Sequence, residues 1–198
     1  MAIYQLMKVL VDPIMRDHHS VTLSGLIYLL RSQPDSMPFM PMLIPPLMDL
    51  IKQNDPLLTQ DLFSVMLLIV ESIPEALLQF SDNIFEMIHS VIHLQSQRVL
   101  TLLNSINKET FKTKLFSHMY LVLPEVLSLI EQARRQTEAT ISEEQLMQKP
   151  SVKSKSLVEL TFNAIQSLPN FETLILDDHL YLIIPLLLRT ASSGPISE

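Results

Sequence analysis

Cysteine is absent from this chain of 198 residues, and glycine occurs only twice, at Gly25 and Gly194. Without cysteine there are no disulfides, no thiol nucleophile and no zinc site with sulfur ligands. Nothing points to an oxidising compartment; a cytosolic or nuclear setting is the default, and cytoplasmic is the expectation. Two isolated glycines cannot build a glycine-rich phosphate loop or a dinucleotide fingerprint, which excludes nucleotide binding by those routes. Positive charge is also short: 14 lysines and arginines against 21 acids give a net charge of −7. The surface therefore lacks the positive field that a phosphate backbone requires, and nucleic acid is not expected as a partner. The longest apolar runs, residues 37–48 and 180–188, are too short to span a bilayer, and the first holds four prolines. No transmembrane segment is expected. The start of the chain has only Lys8 ahead of its first acid and lacks a small-residue cleavage site, so it does not read as a signal or transit peptide.

What is present is apolar and repetitive. Hydrophobic residues make up 47% of the chain, enough to bury a large core. The stretch FMPMLIPPLMDLI at residues 39–51 returns in diverged form, with Pro45 aligned on Asp82 in SDNIFEMI, on Pro124 in YLVLPEVLSLI and on Pro185 in YLIIPLLLRTA. Two large apolar residues follow each anchor: Leu47 and Met48, Ile84 and Phe85, Val126 and Leu127, Leu187 and Leu188. The anchors are 37, 42 and 61 residues apart. Apart from roughly twenty extra residues in the last step, that period is close to the roughly 40 to 47 of two-helix HEAT and armadillo repeats. The expectation is all-α: a HEAT/armadillo-like, right-handed α-α superhelix of about four helical pairs.

Along the chain this gives an orphan helix in residues 1–13, repeats at 14–53, 54–94 and 95–135, a charged insertion at 136–153, a fourth repeat at 154–190 and a tail at 191–198. Residue 1 falls inside a repeat, so the array is expected to begin upstream. Both faces of the orphan helix look apolar, and the 198-residue chain is expected to self-associate through it. After a polar loop at 16–20, Leu23, Leu26, Ile27 and Leu30 mark a first helix with Ser20 as its N-cap. Pro45 and Pro46 mark a kink or the first turn of its partner. Asn54, Asp55 and Pro56 give a turn, an N-cap and a first-turn proline before Leu58, Leu62, Val65, Met66, Ile69 and Val70 at helical spacing. Its partner spans residues 82–93, with Ile84, Met87, Ile88, Val91 and Ile92 inward. The third pair is 98–106 with 118–131. Between Glu131 and Lys155 nine of 25 residues are charged and the apolar spacing lapses, so the middle of the insertion is expected to be an exposed loop.

No constellation for chemistry survives this reading. His18 and His19 beside Asp12 and Asp17 suggest a metal cluster, but adjacent histidines in an inter-helix turn are read as capping or solvated groups. His89 and His93 stand i, i+4 on one helix with Glu86 a turn earlier. A zinc-protease helix needs its glutamate directly after the first histidine, where this chain has Ser90. Met48, Met66, Met87 and Met119 sit at inward positions and are read as core rather than as a plastic groove; Met37, Met40 and Met42 fit that reading less well. Ser24, the one serine next to a glycine apart from Ser193 in the tail, lies in a helix rather than in a nucleophile elbow. No catalytic, cofactor-binding or metal residue is assigned.

The ordered series KVLVDP at 8–13, DHHSV at 17–21, PMLIPPLMDLI at 41–51, FSDNIFEMI at 80–88 and the two later leucine-proline helices resembles the helical-repeat region of target-of-rapamycin (TOR) kinases, over residues 3 to about 190. The resemblance implies a parent serine/threonine kinase in nutrient and growth signalling. Within it, this segment would be scaffold N-terminal to the kinase domain, packing on other repeats of its own chain and arranging accessory subunits such as raptor-type proteins. None of the family's catalytic residues has a counterpart here, and the charged insertion is longer than the family pattern. The expected function is non-catalytic scaffolding. The alternatives are a free-standing HEAT-type adaptor without a kinase and, from another class, a helical metalloenzyme using Glu86, His89 and His93.

Overall fold

A computed structural model of the chain describes residues 2–32, 34–73, 75–106, 115–147, 152–168, 171 and 173–193. Every regular element among them is helical, so the fold is all-α. The chain divides into two compact units, Met1–Ile106 and Asn107–Glu198. The two members of the expected third pair fall on opposite sides of that division, and the segment joining them, 107–114, lies outside the described residues.

The first unit begins with α1 (Ala2–Val11), which stops at Asp12 and Pro13. Asp12 Oδ1 accepts a hydrogen bond from the Ile14 amide at 2.9 Å and caps a 3-10 segment, Pro13–His18, that runs directly into α2 (His19–Ser32). The expected polar loop at 16–20 is therefore helical, and Ser20 is the second residue of α2 rather than its N-cap. Asp12 followed by Pro13 supplies both a side-chain acceptor and a fixed φ ahead of the 3-10 segment, which moves the start upstream. A proline-rich 3-10 segment, Pro34–Leu43, leads into α3 (Ile44–Lys52). Pro45 and Pro46 fall in the first turn of α3, where their missing amides are not needed.

Asn54 turns the chain with φ 53°, in the left-handed region that asparagine tolerates. Asp55 then organises a leading turn: its Oδ1 accepts from the Leu57 amide (3.0 Å) and its carbonyl from the Leu58 and Thr59 amides (3.1 and 3.0 Å). Helix α4 (Thr59–Ser72) consequently starts four residues after the expected cap. Beyond it come the short α5 (Glu75–Gln79), α6 (Ser81–Val91) and α7 (Ser96–Ile106). Helices α2, α4 and α7 pack successively in one layer and α1, α3 and α6 in a second, with α3 also against α4 and α1 against α2. The six inward residues expected of α4 are all buried, as are the five expected of residues 82–93.

In the second unit α8 (Phe116–Met147) is the spine; α9 (Val152–Ser167) packs back along it, and α10 (Thr173–Asp178) and α11 (Leu180–Ser193) also rest on it. The insertion expected as a loop is thus a continuation of α8 as far as Met147; residues 148–151 lie outside the described residues. The reason is compositional: 131–147 contains no glycine or proline and is rich in Glu, Gln, Ala and Arg, strong helix formers, and its charges pair at i, i+3 and i, i+4. Residues 191–193 of the expected tail belong to α11, and 194–198 lie outside the described residues. Of the repeated anchors, Pro45 and Asp82 both occupy the second position of their helices, whereas Pro124 and Pro185 are interior. Both interior rings lie on the exposed side, where the unpaired carbonyl of the preceding turn can reach water. The apolar pairs after the first three anchors are buried; in the last, Leu188 is exposed.

Candidate functional site

The residues weighed for metal chemistry do not converge. His19 is buried at the start of α2, with Nε2 3.1 Å from the Val9 carbonyl in the last turn of α1. A carbonyl only accepts, so Nε2 carries the proton and His19 satisfies one of the end carbonyls of α1. Its Nδ1 is buried without a partner. His18, next to it, is exposed, and Asp12 is engaged with the Ile14 amide. Glu86 Oε1 accepts from Lys52 Nζ at 2.9 Å, tying α6 to α3, and Ser90 Oγ donates to the Met87 carbonyl at 2.7 Å. Among the described residues no three histidine, aspartate or glutamate side chains gather closely enough to hold a metal ion.

In one groove of the first unit the hydroxyls are already used. Of about 170 Å³ between α4 and α7, it is lined by Gln60, Phe63, Ser64, Leu67, Arg98, Thr101 and Leu102. Ser64 and Thr101 donate to the carbonyls of Gln60 and Gln97 on their own helices, at 2.9 and 3.0 Å, so neither is presented to a base. Another, of about 300 Å³, is an apolar trough formed by Ile3, Tyr4, Met7, Phe39 and Met42 at the α1 edge. Met42 therefore serves no core role, unlike Met40, which is buried with Met48, Met66, Met87 and Met119.

The most organised polar feature of the first unit is the row of turns between helix pairs. Arg16 Nη2 reaches Asp55 Oδ2 at 2.8 Å, joining the 12–18 turn to the 53–58 turn. The Arg16 hydrogen bond, followed by that of the Leu57 amide, lowers the Asp55 pKa below its ordinary value. Gln95 Nε2 donates to Asn54 Oδ1 at 2.7 Å, joining the 53–58 turn to the 92–95 turn. Sequence reasoning missed both links; each pairs polar residues about 40 positions apart, roughly one repeat, which is the only signal that could have found them. In the second unit Glu131 is held by Arg134 (3.0 Å to each oxygen) and Arg135 (2.7 Å). The Arg134 hydrogen bond leads in pulling its pKa down to about 2, against the opposing effect of burial.

No family model, curated protein or solved structure matches this chain. No helix among the described residues is long and apolar enough to cross a membrane. The side chains described above are hydroxyls turned onto their own backbone and carboxylates held by arginine, lysine or amides.

Proposed function

We propose that this chain is a non-catalytic helical scaffold segment of a TOR-type serine/threonine kinase, contributing protein–protein assembly to nutrient and growth signalling in the cytoplasm. The observation that carries the scaffold reading is the double layer of the first unit, α2–α4–α7 against α1–α3–α6, the packing of consecutive two-helix repeats. Such an array grows by adding pairs and exposes long edges; as part of a superhelix it would pack on further repeats of its parent chain and hold accessory subunits of the raptor type. The TOR assignment rests on the ordered sequence series from KVLVDP to the last leucine-proline helix. The test is deletion of Met1–Ile106 from the natural polypeptide. Phosphotransfer to a generic serine peptide should persist while accessory subunits are lost; loss of phosphotransfer with the subunits still bound would contradict a scaffold role.

A further inference from the structure

For α1 the sequence predicts self-association, yet little of that helix is both apolar and open. Ile3 and Leu10 are buried, and of its large apolar residues only Tyr4 and Val11 are exposed, with Lys8 between them. The open apolar face lies in the second unit, on α11. Tyr181 is 72% exposed, Ile184 52% and Leu188 64%, and Ala191 is exposed beyond them. Their spacing, i, i+3, i+7 and i+10, sets all four in one stripe along the helix, opposite Ile183 and Leu186, which are buried. Leu180 and Leu182, each 42% exposed, flank that stripe. A single exposed leucine is ordinary, whereas an unbroken apolar stripe at alternating three- and four-residue steps is the seam of a helix pair.

Charge fixes what the second helix is and which way it runs. Between Thr173 and Ser193 the charged side chains are Asp177 and Asp178, exposed ahead of the stripe, and Arg189, exposed at its far end; Leu180 to Leu188 carries none. A parallel copy would set acid on acid and arginine on arginine. Two copies laid antiparallel about the middle of the stripe instead bring Arg189 of each to Asp177 and Asp178 of the other, and the two-fold axis forms that pairing twice. Tyr181 of one copy then meets the end of the other stripe where Ala191 leaves room for its ring. One helix thus supplies both halves of a complementary surface. At roughly 150–200 Å² for a large side chain fully exposed, Leu180, Tyr181, Leu182, Ile184 and Leu188 offer about 400–550 Å² per copy. Twice that lies below the roughly 1,200 Å² of a standard interface, in the range of weak, reversible complexes.

We propose that the chain forms a two-fold dimer through α11, with the stripes from Tyr181 to Leu188 packed antiparallel and Arg189 of each copy against Asp177 and Asp178 of the other. The proposal does not rest on the scaffold reading, and the deletion test above bears on neither its success nor its failure. Sedimentation equilibrium of the full chain should show a monomer–dimer equilibrium with a Kd on the order of 10–100 µM. The double variant Ile184→Gln, Leu188→Gln should dimerise about tenfold or more weakly, and Arg189→Glu about threefold or more weakly, each with an unchanged helical circular dichroism spectrum. Combining Arg189→Glu with Asp177→Lys and Asp178→Lys should restore dimerisation to within about twofold, because each new pair again joins opposite charges. The α1 variant Tyr4→Gln, Val11→Gln should dimerise like the parent. A chain that stays monomeric to about tenfold above the expected Kd, including one whose stripe attaches instead to phosphatidylcholine vesicles, would overturn the proposal. So would a dimer lost in the α1 variant and kept in the α11 variant, or a charge swap that fails to restore it.

Discussion

Leu62→Ala in α4 is the most informative single change to the first unit. Leu62 is fully buried, and its helix packs on α2, α3 and α7, so neighbours surround it and little can move in to fill a gap. Losing three carbons forfeits about 2.4 kcal/mol of transfer free energy at roughly 0.8 kcal/mol each. A cavity that cannot collapse raises the total to about 3–5 kcal/mol. That is a large part of the roughly 5–15 kcal/mol that holds a domain together, and it should lower the melting temperature of the unit by about 12 °C or more. The matched control is Leu57→Ala, the same change at an exposed turn residue, which should stay within about 0.5 kcal/mol. Urea unfolding followed by far-ultraviolet circular dichroism compares the two. A Leu62→Ala cost below about 1 kcal/mol, or equal costs at the two sites, would refute the placement of α4 at the centre of the stack.

Other expectations follow from particular side chains. Gly25 lies inside α2 where an added Cβ would meet Leu6 at 3.9 Å, ordinary contact, so Gly25→Ala should stabilise by about 0.5–1 kcal/mol in the same titration; destabilisation would show that α2 and α1 are closer than described. His19→Ala removes the partner of the Val9 carbonyl and should cost about 1–3 kcal/mol, with no change on adding zinc. The Glu131 pKa is lowered from 4.5 to about 2, so its pairing stabilises the fold fully above about pH 4.5 and is lost as pH falls towards 2; Glu131→Gln should flatten that part of the pH–stability curve, and a wild-type-to-variant difference constant with pH would contradict the pairing. Amides of 136–147 should exchange slowly as part of α8, and exchange as fast as in an unstructured peptide would restore the loop reading.

The all-α class and the inward faces of α4 and α6 were legible because apolar residues recur there at helical spacing and their neighbours are polar. Starts were less legible. Asp55 was rightly seen as a capping residue, yet it caps a turn ahead of α4, and Asp12 outcompeted Ser20 because proline follows it. The charged stretch after Glu131 misled because charge density distinguishes solvated from buried, not loop from helix; its i, i+3 and i, i+4 pairs were the discriminating signal. Nor could composition show His19 buried beside exposed His18, since that depends on where α1 ends.

Identifying the natural polypeptide tests the scaffold assignment most directly. An antibody raised against the first unit would precipitate it from its own cells, and mass spectrometry would map its length. The account predicts one long polypeptide in which peptides of this chain are continuous with a serine/threonine kinase domain, accompanied by a raptor-type subunit. A polypeptide containing this sequence and no kinase domain would contradict it and leave the free-standing adaptor as the better reading.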